Sequence, residues 1–153
     1  PAQDTTTTEA PTTEAPTTEA PTTEAPVTEA PTSDLGQQIA NFACQFVGNP
    51  YVWGGTSLTN GADCSGFVQS VYKNFGYSLP RTCTPQSNAG TAVSLAALAP
   101  GDLVFYDHGT GSCEHVGIYI GNGQIVHASS SRTGIKISNV NYSTPFKACR
   151  IVN

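Results

Sequence analysis

At 153 residues the chain has room for one domain and a tail, and charged side chains make up only 11% of it. Residues 1–32 hold six acidic side chains and no basic one, whereas residues 33–153 hold five acidic and six basic ones. The net charge of −5 therefore belongs to the first segment. The near-neutral remainder lacks the basic footprint of a nucleic-acid binder, and no apolar run is long enough to span a membrane.

The first segment is a five-residue repeat, Thr-Thr-Glu-Ala-Pro, running from Thr7 to Pro26 and closing at Pro31. It has almost no large apolar side chain to offset ordering entropy, and Pro recurs too often for a helix. Residues 1–32 are thus expected to be a disordered linker of the Thr- and Pro-rich kind that carries sugars on extracellular stalks. A chain starting at Pro1 with such a linker suggests a processed product with something upstream.

From Ser33 the pattern is that of a folded domain, residues 33–153. Ser33 or Asp34 can cap a helix with Leu35, Ile39, Phe42, Ala43, Phe46 and Val47 on one side, ended by Gly48-Asn49-Pro50. An aromatic, glycine-laden loop follows, Tyr51-Val52-Trp53-Gly54-Gly55. In Asn60-Gly61-Ala62-Asp63-Cys64-Ser65-Gly66-Phe67-Val68, a turn delivers Asp63 as N-cap to a helix carrying Phe67, Val68, Val71, Tyr72 and Phe75, ending near Gly76. Residues 77–100 are Pro-rich, with a short helical candidate at Ser94–Leu98. Strands are then expected at Leu103–Tyr106, His115–Ile120, Gln124–Ala128, Gly134–Ser138 and Lys147–Val152. Helices followed by hairpin-linked strands argue an α+β domain with an antiparallel sheet.

Cys64 falls at the start of its helix, where unpaired backbone N–H groups and the dipole stabilise a thiolate. The bland alternative is a structural thiol or half of a disulfide. A thiol nucleophile needs a base, and the base needs a third group to orient it. If Gly121-Asn122-Gly123 forms a three-residue hairpin loop, His115 and His127 become diagonal neighbours on one face; a one-residue slip would separate them. His108, in the Asp107-His108-Gly109-Thr110-Gly111 loop, reads as an ordinary histidine. Zinc fails on spacing, since Cys64, His115 and His127 alone leave a tetrahedral site one ligand short.

Several blocks together resemble the NlpC/P60 cysteine peptidases: Asp63-Cys64-Ser65-Gly66-Phe67-Val68, Leu79-Pro80-Arg81-Thr82, Gly101-Asp102-Leu103-Val104-Phe105, His115-Val116-Gly117-Ile118-Tyr119-Ile120-Gly121 and Ile125-Val126-His127-Ala128. Tyr51-Val52-Trp53-Gly54-Gly55 is similar to the segment that precedes the family's nucleophile. The resemblance implies a papain-like fold, N-terminal helices packed on a central antiparallel sheet. It also implies a secreted or wall-associated monomer that hydrolyses peptidoglycan stem peptides or muropeptides, typically between D-γ-glutamate and meso-diaminopimelate or lysine, with no metal or organic cofactor. Carried over by position, Cys64 is the nucleophile, His115 the base and then acid, and His127 the residue orienting His115. Tyr51 would lie over the nucleophile and assist the oxyanion or substrate, Asp63 and Ser65 would face the substrate peptide, and Arg81 would line the cleft wall.

The four cysteines beyond the nucleophile depart from the family's usual pattern and allow three pairings. The pairing suggested is Cys83–Cys113, tying the Pro80–Pro85 loop to the approach to His115, with Cys44–Cys149 fastening the first helix to the last strand. A disulfide through Cys64 would instead make the domain catalytically dead. Beside the endopeptidase stand a non-catalytic peptidoglycan-binding or host-interaction module and, less well matched in motif spacing, an amidase or acyltransferase.

Overall fold

The computed structural model describes residues 34–152; the repeat segment at 1–32 and the cap expected at Ser33 lie outside them. Helix α1 (Asp34–Cys44) stops before Phe46 and Val47, which enter a hydrogen-bonded turn that leaves Val47 exposed. Gly48 closes that turn at φ +98°, a conformation glycine adopts without Cβ strain, and its N–H reaches the Ile135 carbonyl at 2.9 Å. The short strands β1 (Thr56–Ser57) and β2 (Gly61–Ala62) pair as a hairpin, which delivers the chain into helix α2 (Cys64–Lys73). Helix α2 buries Phe67, Val68, Val71 and Tyr72. It ends where the Gly76 and Tyr77 N–H groups turn back to the carbonyls of Lys73 and Tyr72, with Gly76 at φ +88°.

Helix α3 (Cys83–Ser87) lies in the Pro-rich stretch that promised no helix there. Pro85 stands in its first turn, where a missing N–H costs nothing. The candidate at Ser94–Leu98 is instead a single turn, with the Ala97 N–H on the Ser94 carbonyl and the Ala96 N–H on the Ser94 hydroxyl. Serine's side chain competes for the backbone donors that a helix would use.

Six strands form one antiparallel sheet: β3 (Thr91–Ala92), β4 (Leu103–Tyr106), β5 (His115–Gly121), β6 (Gln124–Ser130), β7 (Gly134–Asn139) and β8 (Pro145–Arg150), in the spatial order β3-β8-β4-β5-β6-β7. The last strand thus begins and ends two residues earlier than its apolar pattern suggests. Helices α1 and α2 pack against β5 and β6, and Ile39, Phe67 and Val71 join Phe105, Val116, Ile118 and Val126 in the main core. Each such fully buried side chain is worth about 1.5–3 kcal/mol of transfer free energy. The other face holds a smaller cluster around Val104, Tyr106, Tyr119 and Ile125. This is the α+β architecture with an antiparallel sheet.

The β5–β6 hairpin differs from the expected three-residue loop. Gly121 pairs with Gln124 around a two-residue turn, Asn122-Gly123, both at positive φ. Ile120 is then extruded as a bulge, and the ladder resumes at Tyr119↔Ile125 and Ile118↔Val126. The bulge absorbs the one-residue difference, so the register toward the histidines is the one the longer loop would have set.

Of the two expected disulfides, Cys83–Cys113 is formed, with Cα atoms 5.8 Å apart. Cys44 and Cys149 are free thiols, which corrects the second pairing. Cys149 lies on β8, whereas α1 lies over β5 and β6, and β4 intervenes. At roughly 4.8 Å per strand that offset exceeds the separation a disulfide can bridge. The Cys149 thiol instead donates to the Gln86 carbonyl at 3.5 Å.

Candidate active site

Cys64 is the first residue of α2, and the chain reaches it through an extended Asp63 at φ −87°, ψ −178°. One Asp63 carboxylate oxygen accepts the Gly66 N–H at 2.8 Å, as an N-cap should, and the other accepts the Gly54 N–H at 2.9 Å. Arg81 grips the same carboxylate with two nitrogens, each at 3.1 Å, and extends to the Ser65 hydroxyl at 3.0 Å and the Gly55 carbonyl at 3.3 Å. Asp63 and Arg81 therefore fasten the aromatic loop to the helix start. Burial pushes the Asp63 carboxyl up, but the guanidinium and the two backbone donors outweigh it and hold it below its ordinary value.

Gly66 permits this closeness. A Cβ there would stand 2.1 Å from the Gly55 carbonyl oxygen, so the helix and loop backbones could not meet. Behind them the fully buried Gln86 donates to the carbonyls of Ser65 and Pro80 at 3.0 and 2.9 Å. Ser65, expected to face the substrate, is only 6% exposed and spans Asp63 and Arg81 instead. Its hydroxyl is used inside the protein, because the first turn of α2 directs it beneath the loop.

The Cys64 thiol is half-buried. Burial pushes it up, the Asp63 charge adds to this, and the N–H groups of Val116, Ser65 and Cys64 itself oppose it. Val116 follows His115 on β5, so the sulfur lies beside the strand that carries that histidine. Tyr51 closes the other side, where its backbone bridges to Ala62, and its hydroxyl is pushed up by burial, then by Cys64 and Asp63. Trp53, two residues on, is 86% exposed.

His115 and His127 meet as diagonal cross-strand neighbours. His115 Nε2 lies 2.6 Å from His127 Nδ1, and the rings are tilted by 76°. Gly117 makes room for this contact, since a Cβ there would come within 3.3 Å of the His127 Cβ. His127 is completely buried, and His115 is 6% exposed. Burial, then His127 and His108, bring His115 down to about 3; burial, then Lys136 and His108, bring His127 down to about 4. Burial thus favours the uncharged form of both imidazoles. It acts against charge on both Cys64 and His115, and opposes the thiolate that the helix N-terminus by itself favours.

Three side chains around this pair were not singled out from sequence. His127 Nε2 lies 2.8 Å from the Ser138 hydroxyl. Tyr142 stands over the histidines, with ring centroids 5.2 Å from His127 and 6.4 Å from His115. His108, which read as an ordinary histidine, stacks on His115 at 5.8 Å, and its Nε2 is 3.3 Å from the Tyr142 hydroxyl. The signal for His108 was the β4–β5 hairpin, whose Tyr106↔His115 pair returns the loop to the site. Tyr142 arrives from the β7–β8 connection, and only the non-sequential insertion of β8 beside β4 decides where that goes. Among the described residues no three His, Cys, Asp or Glu side chains are grouped as metal ligands, and no helix is long and apolar enough to cross a membrane.

A thiol at a helix N-terminus beside a hydrogen-bonded histidine pair has the parts needed for acyl transfer. A sequence model of the NlpC/P60 family matches residues 48–152. The gamma-D-glutamyl-L-lysine dipeptidyl-peptidase of Bacillus cereus is 42% identical over 105 residues, which are 67% of this chain and 31% of that protein. The gamma-DL-glutamyl hydrolase of Bacillus subtilis is 47% identical over 111 residues, 71% of this chain and 26% of that protein. The chain thus spans about a third or less of the length of these relatives. Among solved structures, the NlpC/p60 domain of the peptidoglycan hydrolase SagA superposes with a TM-score of 0.69 at 36% identity, covering 76% of this chain and 98% of that one. The chain belongs to the NlpC/P60 family.

Proposed function

We propose that residues 33–153 form a cysteine peptidase that cleaves peptidoglycan stem peptides after a D-γ-glutamyl residue, ahead of lysine or meso-diaminopimelate. The observation that carries this reading is the His115–His127 hydrogen bond of 2.6 Å beside the helix end that bears Cys64. The γ-glutamyl bond is common to the names of both Bacillus relatives. An extracellular or wall-associated setting follows from such a substrate and agrees with a disulfide between Cys83 and Cys113.

In this mechanism His115 Nε2 is occupied by His127, which leaves Nδ1 for the thiol. As the sulfur attacks the glutamyl carbonyl, its proton passes to Nδ1 and the carbonyl electrons move to oxygen. The Cys64 N–H and the Tyr51 hydroxyl hold that oxyanion; with its pKa raised, Tyr51 keeps the proton it donates. The C–N bond breaks, the departing amine takes the proton from His115, and a thioester remains. Water then attacks the thioester, with His115 as base, and frees the thiol and a γ-carboxylate. Asp63 and Arg81, with 14% and 34% of their side chains accessible, present a carboxylate and a guanidinium to the bound peptide. The domain needs no second copy for this chemistry and acts as a monomer.

The test is incubation of wild type and Cys64→Ala with defined muropeptides ending in lysine or meso-diaminopimelate, free and glycan-attached, alongside poly-γ-glutamate. Products are read by mass spectrometry. The expected result is cleavage after D-γ-glutamate that falls at least ~1,000-fold in the variant. No cleavage of any substrate by folded protein with an alkylatable Cys64 would overturn the reading in favour of a non-catalytic binding or host-interaction module. Cleavage of poly-γ-glutamate alone would overturn the substrate.

A further inference from the structure

We propose that Ser138 is a positioning residue that holds His127 in the one tautomer His115 needs to act as a base. The inference rests on the reading of Cys64 and His115 as nucleophile and base. Ser138 lies on β7 opposite Ile125, and His127 lies opposite Lys136, so Ser138 is the diagonal neighbour of His127. The result is a continuous chain: His115 Nε2 to His127 Nδ1 at 2.6 Å, then His127 Nε2 to Ser138 Oγ at 2.8 Å.

Proton counting along this chain admits two arrangements. In the first, His115 carries its proton on Nε2 and donates it to His127 Nδ1, while His127 donates its Nε2–H to Ser138. His115 Nδ1 then has a free lone pair for the thiol. In the second, His127 is protonated on Nδ1 and donates to His115 Nε2, and its own Nε2 accepts the Ser138 hydroxyl proton. His115 must then carry its proton on Nδ1 and can take none from sulfur. Only the first arrangement is productive, and it remains intact when His115 becomes doubly protonated during attack. His127 is fully buried, so its Nε2–H needs a protein acceptor. The Ser138 hydroxyl oxygen, 2.8 Å away, is placed to accept it. That hydroxyl is neutral, so it satisfies the donor without drawing a second proton onto His127, as a carboxylate there would. A doubly protonated His127 would set N–H against N–H at the 2.6 Å contact with the productive His115 tautomer.

Ser138→Val and Ser138→Thr have nearly the same shape and differ in the hydroxyl. Imidazole nitrogen-15 NMR of His127 should report Nε2–H in wild type and in Ser138→Thr, and a mixture with Nδ1–H in Ser138→Val. On a muropeptide, kcat should fall about tenfold in Ser138→Val with KM little changed, and the threonine variant should recover most of it. The rate of Cys64 alkylation by iodoacetamide should follow the same order. Three results would each overturn the inference: an Nδ1–H tautomer in wild type, a valine variant matching the threonine variant in tautomer and rate, or a loss confined to KM. The NMR and alkylation measurements need no substrate, so an inactive wild type would sink the peptidase reading and still leave Ser138 decided. If Ser138→Val does not fold, Ser138→Ala makes the same comparison against wild type and Ser138→Thr, with the same outcomes.

Discussion

Acidification from pH 7 to 5 should destabilise this domain through two residues. His115 and His127 sit at about 3 and about 4 in the folded protein, against 6.5 when unfolded. Their folded-state values are depressed, so between about pH 4 and 6.5 the unfolded chain binds more protons than the native one. Stability is therefore fully present above 6.5 and lost as pH falls. At pH 5 the unfolded chain holds nearly two more protons on this pair, a slope of between 2 and 3 kcal/mol per pH unit. Integrated from pH 7 to 5, the loss is about 4 kcal/mol, a large part of the 5–15 kcal/mol typical of a domain. The low exposure of both rings, 6% and 0%, means that solvent screens little of this. The assay is urea unfolding followed by far-ultraviolet circular dichroism at half-unit pH steps, without reductant, in wild type and in His115→Gln/His127→Gln. The wild-type midpoint should drop by roughly 2 M urea over this range, given about 1–3 kcal/mol per molar for a small domain. The double variant should lose most of the slope, whatever its absolute stability. A flat wild-type midpoint, or an equal slope in the double variant, would refute the assignment of neutral buried histidines.

Two other perturbations test the frame around Cys64. Gly66→Ala puts a methyl 2.1 Å from the Gly55 oxygen, against backbone that has no rotamer to yield. It should cost about 1–3 kcal/mol and speed Cys64 alkylation as the loop is pushed off the helix and the sulfur is exposed, and an unchanged urea midpoint would contradict the close approach. Reduction of Cys83–Cys113, whose partners are 30 residues apart, should lower stability by about 3–4 kcal/mol on the chain-entropy account, read from urea unfolding with and without phosphine. The Cys44→Ser/Cys149→Ser variant should lose the same amount on reduction, because those thiols are already free.

Asp63 illustrates what can be read locally. An N-cap residue followed by a glycine and an apolar-periodic run specifies where a helix starts, and so places Cys64 in its first turn whatever the rest of the chain does. The β5–β6 hairpin is a second such case. Asn122-Gly123 and the flanking alternation announce the turn, and the diagonal placement of His115 and His127 follows from the pairing period of two. Even the error in loop length was harmless, since the Ile120 bulge restored the register.

What the linear pattern could not carry depends on partners distant in sequence or on burial. Ser138 reaches His127 from the adjacent strand, Tyr142 from a connection placed by strand insertion, and Gln86 from a helix whose first turn conceals a proline. The Cys44–Cys149 pairing failed because sheet order, invisible in the spacing of cysteines, puts β4 between the two elements. Ionisation was likewise decided in three dimensions. A thiol at a helix N-terminus suggests a lowered pKa, but the desolvation that accompanies closure of the Tyr51 loop and β5 over it acts the other way and is larger. The sequence by itself determined the helix start that bears the thiol and the strand pair that bears the histidines, because capping and pairing are short-range. The tertiary structure decided how far those groups are desolvated and the hydrogen-bond chain behind them, because burial and cross-strand contacts exist only once the chain has packed.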